Sequence, residues 1–420
     1  MTALLFTTFL FLLVLGVPIA FAIASAGVVV LLKGDVNLLI IVQRMFASTD
    51  SFPLVAVPFF ILAGDLLARG SMSKTLVAFA ESILGRIRGG LSAVSVAAGM
   101  FFAAISGSGA ATTAAVGATL IPELKKRGYD EASSAALIAA AGCIGVVIPP
   151  SVPMVLYAVI ADQSVTKLFS NGFFPGTLMG GILIAIALWQ ANKQNYPKGS
   201  PFEWSNVLAT FRKAVWAILM PVIILGGIFS GFFTPSEAAA VAVIYSAIIS
   251  FVVYRDMSFK ELGMIVLGSA KTSAVIMMII ACSGVFGWVL ANWKIPEQVA
   301  QAVLSVSNNP YVIMLLISII VLIAGIFMET SSAVILLTPV FLPLVKALGI
   351  DLVHFGLIFT IGISIGMITP PVAINLFVAS SITGLSLEKI SKAVIPYLLG
   401  LIFIFLLYVY LPIFIPALIF

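Results

Sequence analysis

Long uncharged runs occupy most of this chain: Leu4–Leu32, Gly89–Pro122, Ala132–Ala161, Leu168–Asn192, Ala214–Ser236, Thr272–Trp293, Gln298–Met328, Leu352–Leu387 and Ala393–Phe420. About twenty apolar residues cross a bilayer as a helix. Backbone facing lipid has to satisfy its own hydrogen bonds, which leaves helices and closed β-barrels. Barrel strands alternate in short segments, and the runs here do not. The expected fold is an all-α polytopic membrane protein with roughly ten to twelve membrane elements. With 62% hydrophobic and 9% charged residues, against roughly a quarter charged in soluble domains, a globular enzyme is excluded and no water-facing domain is expected. The first run has neither a basic leader nor a small-residue cleavage site, so it belongs to the expected fold rather than to a signal peptide.

Cys143 and Cys282 lie in apolar surroundings without metal spacing, and His354 is the lone histidine, which excludes a disulfide framework and a Cys/His metal site. The net charge of +5 reflects basic residues at the ends of membrane helices, the ordinary topology signal. No nucleic-acid partner is expected; the surrounding partner is membrane lipid.

The second half repeats the first in a nearly constant register. Ile148-Pro149-Pro150 matches Thr369-Pro370-Pro371, Pro122 matches Pro343, Gly128 matches Gly349, Asp130 matches Asp351 and Gly145 matches Gly366. Further upstream Pro18 aligns with Pro235. The first repeat is then 1–205 and the second 214–420, joined by a polar linker, 193–213, read mainly as a cytoplasmic tether.

Each repeat runs through a short polar cluster, Ser106-Gly107-Ser108-Gly109-Ala110-Ala111-Thr112 or Glu329-Thr330-Ser331-Ser332, to a proline, a glycine turn and a helix broken at the double proline. Runs this short predict re-entrant hairpins, over about 89–127 and 309–346, followed by broken helices over about 131–161 and 352–387. Irregular backbone at membrane depth is tolerated where it is buried or lines a cavity, so the two tips and two breaks are expected to converge on one site. Arg86, Arg88, Lys125, Lys126 and Arg127 flank the first hairpin, whereas Asn308, Asn309 and only Lys346 flank the second. By the positive-inside rule the hairpins enter from opposite sides, giving two inverted-topology repeats. Tracing outward places Arg69, Lys74, Lys193, Lys198, Arg212, Lys213, Arg255, Lys260, Lys271, Lys389 and Lys392 in the cytoplasm as well, and leaves Lys33, Arg44, Lys167, Lys294 and Lys346 outside. Leu4–Leu32 reads as two short crossings or one tilted span.

Hydroxyls and free carbonyls at an unwound turn suit a hard monovalent cation, while inward-pointing helix N-termini suit an anionic group. The first candidate Na⁺ site comprises Ser106, Gly107, Ser108 and Thr112 with Gly145, Val147 and Ile148; the second comprises Glu329, Thr330, Ser331 and Ser332 with Gly366, Ile368 and Thr369. Ser108, Ser332 and Asn375 are the candidate substrate contacts. Close helix packing through small residues is the alternative for either tip taken alone. Glu329 is the acid within an apolar stretch, a functional position by default, and Asp65, Asp162 and Lys294 read as helix-end charges. Ser106 or Ser108 as a protease nucleophile lacks a neighbouring base. A channel is a further alternative, since re-entrant loops also build filters, but paired broken helices favour alternating access.

Ser51-Phe52-Pro53-Leu54, Pro58-Phe59-Phe60-Ile61-Leu62-Ala63-Gly64, the Ser106–Thr112 cluster, Ile148-Pro149-Pro150-Ser151, Thr234-Pro235-Ser236-Glu237-Ala238-Ala239-Ala240 and Thr369-Pro370-Pro371-Val372 with Asn375 occur here in that order. The whole chain resembles the large membrane subunit of tripartite ATP-independent periplasmic (TRAP) transporters. That resemblance implies an elevator-type secondary importer of the bacterial inner membrane, driven by Na⁺ and without an organic cofactor. It implies a small four-helix membrane subunit, expected as a separate chain, and a periplasmic substrate-binding protein as partners. The cargo would be a carboxylate such as a C4-dicarboxylate, sialic acid or another sugar acid. The hairpins and broken helices would form a transport domain, with the remaining helices as scaffold. Proton coupling, or a related inverted-repeat carrier without a binding protein, is the alternative.

Overall fold

The computed structural model of the protein describes residues 1–69, 72–198, 201–306 and 309–414. Asn308 beside the second hairpin, Gly199 and Ser200 of the linker, and the end of the second repeat, 415–420, lie outside the described residues.

The chain begins with α1 (Thr2–Val14), α2 (Ile19–Lys33) and α3 (Leu39–Thr49), continues through α4 (Ala56–Arg69) and α5 (Met72–Leu84), and reaches the first hairpin, α6 (Gly90–Ser106) and α7 (Gly109–Lys126). The first broken helix follows as α8 (Glu131–Cys143) and α9 (Val152–Ala161), and α10 (Val165–Lys193) closes the repeat. After the linker come α11 (Trp204–Phe229), α12 (Pro235–Ile248), α13 (Phe259–Asn292) and α14 (Ile295–Val306). The second hairpin is α15 (Pro310–Phe327) and α16 (Thr330–Ala347), the second broken helix α17 (Leu352–Gly366) and α18 (Ile374–Thr383), and α19 (Leu387–Phe414) is the last helix. Among the described residues there is no β-strand.

Among the described residues six helices are long and apolar enough to cross a membrane unaided, and α3 and α4, bent by 68°, form a broken span or a re-entrant loop. The other apolar runs of the sequence are cut into shorter pieces. The cuts have local causes. Gly16 takes a left-handed φ of +78° and Pro18 precedes α2, so Leu4–Leu32 becomes two packed helices of about 20 Å each, at 1.5 Å per residue. Gly128 and Gly349, at φ +79° and +67°, end α7 and α16 in the conformation that only glycine adopts cheaply. The next residues that the repeat matches, Asp130 and Asp351, cap α8 and α17 by accepting from the N–H groups of Ser133 (2.7 Å) and His354 (2.8 Å). Pro149-Pro150 and Pro370-Pro371 then break both helices, each with a cis bond between its prolines.

The hairpins and broken helices pack as one body: α7 lies on α8, α15 on α17, α9 on α16 and α18 on α7 and α8. The two repeats are joined in its middle, where the Tyr157 hydroxyl donates to the Leu352 carbonyl at 2.7 Å. Tyr157, Phe169, Phe355, Phe359 and Phe405 are fully buried there. Against this body stand α2, α3 and α4 packed on α13, with α12 behind α4 and α11 on α5. The start of the linker is docked rather than free. Tyr196 is buried and stacked on Tyr129 with ring centroids 4.2 Å apart, and its hydroxyl accepts from the Asp130 N–H at 3.0 Å.

Candidate functional site

The turns at the ends of the two hairpins arise from helix capping. In the repeat register Ser108 corresponds to Glu329, and both are N-caps. Ser108 accepts from the Ala111 N–H at 3.4 Å and starts α7; Glu329 accepts from the Ser332 N–H at 3.1 Å and starts α16. A side-chain oxygen at this position satisfies an otherwise orphaned N–H. Position 107 requires glycine: it has φ +60°, and a Cβ there would sit 2.7 Å from the Pro150 carbonyl oxygen.

The first tip is a compact set of oxygens. The Ser106 and Thr112 hydroxyls are 2.9 Å apart, and Thr112 donates to the Ser108 carbonyl at 2.8 Å. Gly145 backs the turn so closely that a Cβ would lie 2.6 Å from Thr112 Oγ1. At the second tip Ser331 donates to Glu329 Oε1 at 3.1 Å, and the Thr330 hydroxyl lies 3.3 Å from Met367 Sδ. Met367 also sits against Gly109, so one thioether touches both tips.

The tips open onto one cavity of about 680 Å³. Ser106, Gly107, Ser108 and the first turn of α7 form one wall, and Glu329, Thr330, Ser331 and Ser332 form another. Ile61, Gly64 and Asp65 of α4 and Thr272, Val275, Ile276 and Ile279 of α13 complete the lining. Among the described residues two carboxylates, Asp65 and Glu329, lie in this lining, and no lysine, arginine or histidine does.

The remaining expected site residues lie behind this surface. Thr112 and Gly145 support the first tip from below. Val147 and Ile148 turn away from it: the Val147 carbonyl faces Gly172 and the Ile148 side chain packs on Gly176, both on α10. The short 3₁₀ turn Ile144–Val146 redirects the backbone before the double proline. Gly366 meets Gly325 backbone to backbone, Ile368 is fully buried, and Thr369 donates to the Ile365 carbonyl at 2.9 Å. Asn375 is fully buried outside the cavity lining; its Nδ2 donates to the Ala139 carbonyl at 3.1 Å, tying α18 to α8.

Asp65, Ser269 and Met367 were not expected at the site. Asp65 directly follows Pro58–Gly64, but Arg69 and Lys74 beyond it give it the look of a helix-end charge. Instead it lines the cavity and accepts from the Ser269 hydroxyl of α13 at 2.6 Å.

Comparison with known proteins agrees with this architecture. The Alcanivorax borkumensis YdaH transporter superposes with a TM-score of 0.66 over 90% of this chain and 88% of its own, at 14% identity, a likeness of fold alone. The C4-dicarboxylate TRAP transporter large permease protein DctM of Pseudomonas aeruginosa is 41% identical over 92% of this chain and 91% of its own length. The isethionate TRAP transporter permease protein DctMQ of Oleidesulfovibrio alaskensis is 41% identical over 97% of this chain, which spans 65% of that longer relative. The sequence profile of the tripartite ATP-independent periplasmic transporter, DctM component, matches residues 6–414. The chain thus belongs to the DctM family of TRAP transporter large permeases.

Proposed function

We propose that this permease is the membrane subunit of a Na⁺-coupled importer of a small carboxylate, and that it works by an elevator movement in the bacterial inner membrane. The observation that carries the reading is the charge balance of the cavity: among the described residues two carboxylates and no basic side chain line it. An anionic cargo entering such a site adds like charge in a region of low dielectric, where unpaired charge is very costly. Bound cations offset it. The Ser106–Ser108–Thr112 oxygens and the Glu329–Ser331 group are the natural places for them, and the N-terminal turns of α7 and α16 supply N–H groups for a carboxylate. Ser108 and Ser332 are the cargo contacts at those turns.

A small four-helix membrane subunit and a periplasmic substrate-binding protein complete the transporter. The carboxylate class follows the C4-dicarboxylate named for one relative, and a sugar acid such as sialic acid carries the same group; isethionate, named for another relative, is a sulfonate and shares with them only the negative charge of a small anion.

The test is thermal unfolding in Na⁺ against K⁺ at equal ionic strength. A ligand present at a hundred times its Kd and bound only by the folded state adds about 2.7 kcal/mol, so Na⁺ should raise Tm by several degrees. Ser106→Ala and Ser331→Ala should each reduce that rise. Equal Tm in both salts, and Na⁺-independent uptake, would overturn Na⁺ coupling and move attention to proton transfer at Glu329.

A further inference from the structure

Asp65 lines the same cavity as the hairpin tips. It belongs to α4, which packs on α12 and α13, and its only hydrogen-bond partner among the described residues is the Ser269 hydroxyl of α13, at 2.6 Å. Ser269 is itself fixed: it is buried, and its carbonyl accepts from Ser273 Oγ at 2.7 Å, one turn along α13. Two neighbouring helices thus hold a half-buried carboxylate whose Oδ1 has no hydrogen-bond partner among the described residues. A buried-facing acid without a basic partner is costly at membrane depth and marks an ion path.

The position of this acid relative to the first tip is set by the preceding residue. Gly64 is a close approach of α4 to the hairpin, where a Cβ would lie 2.9 Å from the Ser106 carbonyl oxygen and 3.0 Å from its Cα. Ser106 is the residue whose hydroxyl joins Thr112 and the Ser108 carbonyl in the first oxygen set. Asp65 therefore follows directly on the contact point between α4 and that oxygen set, and both line the same open cavity.

From this juxtaposition we propose that Asp65, positioned by Ser269, is a third cation subsite, carried by the scaffold, that receives a partly hydrated monovalent cation as it leaves the first hairpin tip. The proposal rests on the cation-coupled reading above. The subsite acts only where the tip faces Asp65, the arrangement seen here. Its effect is on cation release, and hence on return of the empty carrier. It makes no contribution to cargo exchange, in which the loaded carrier shuttles without releasing cation.

The experiment is net Na⁺-driven uptake against cargo counterflow, measured on the complete transporter in proteoliposomes for wild type, Asp65→Asn and Ser269→Ala. Asp65→Asn keeps the shape of the side chain and removes its charge. Net uptake should fall roughly tenfold, the weight of one contact to a charged group, while counterflow stays within about twofold, a fraction of that weight. Ser269→Ala should give the same split with a smaller loss. The Na⁺-induced rise in Tm should survive in Asp65→Asn, which shows that the variant is folded and that its tip sites are intact. Unchanged net uptake, or net uptake and counterflow falling together, would overturn the subsite. Absence of any Na⁺ effect in the wild type would overturn the coupling reading instead.

Discussion

At the residue scale, glycines decide how closely the broken helices approach their neighbours. Gly366 and Gly325 meet at a distance that leaves no room for a methyl group on either, while Gly349 has open space around it and only its φ of +67° to satisfy. Overpacking of a fitted core costs about 1–3 kcal/mol or more, and a left-handed non-glycine residue about 1–2. Gly366→Ala should therefore lower the unfolding temperature in detergent more than Gly349→Ala and abolish uptake, whereas Gly349→Ala should retain uptake. Equal effects would mean that the α15–α17 contact relaxes freely. Met367 offers a second case, since it touches Gly109 and Thr330 together. Met367→Leu conserves volume and should cost less than about 1.5 kcal/mol, while Met367→Ala should cost about 2–5 kcal/mol and weaken Na⁺ binding at both tips, read by the same Tm difference. The polar tip residues were legible in the sequence because small hydroxyl residues interrupt apolar runs. Their capping role was not: only the repeat register, applied to Ser108 and Glu329, shows that one position carries a neutral cap in one half and an acid in the other.

At the element scale, what the sequence shows clearly is punctuation. Gly128 and Gly349, Asp130 and Asp351, and the two double prolines all mark ends that the structure places where the repeat puts them. The faces of the helices between them are hidden, because a helix apolar all round has no amphipathic stripe to read. That is why the contact of Asn375 with α8 was not readable, and why Asp65 passed for a helix-end charge. The linker is a third case. Its proline, glycine and lysines suggest a tether, but Tyr196 joins the base of the first hairpin to the start of α8 through Tyr129 and the Asp130 N–H, and the Pro197 carbonyl accepts from the Gly89 N–H at 3.4 Å. Tyr196→Phe removes the acceptor for one N–H, worth about 1 kcal/mol. Hydrogen exchange at the first turn of α8 should accelerate by about fivefold, which is that energy expressed as a population. Unaltered protection there would show that the ring stack alone holds the linker.

At the scale of the whole molecule, a second cavity of about 400 Å³ extends the first along the same elements. The first is lined by Thr272–Ile279 of α13, Val152 and Pro153 of α9 and the tip of α16; the second by Ile280, Ser283, Gly284 and Gly287 of α13, Leu156, Val159 and Ile160 of α9, and Ile335 and Pro339 of α16. The two cavities are offset along α13 by about eight residues, or about 12 Å at 1.5 Å per residue. An elevator that carries the tips from one cavity to the other would need a stroke of that order. Cysteine cross-linking tests it, in a background where Cys143 and Cys282 are replaced by alanine. Ser331→Cys paired with Ile279→Cys should cross-link in the arrangement seen here, since both positions line the first cavity. Ser331→Cys paired with Ser283→Cys, a position in the second cavity, should cross-link only once the tips have moved along α13, provided that the Ser331→Cys variant is first shown to retain Na⁺-driven uptake. If the second pair never forms under turnover while the first always does, the tips do not travel along α13 and the alternating exposure of the cavity arises from hinged opening of the hairpins instead.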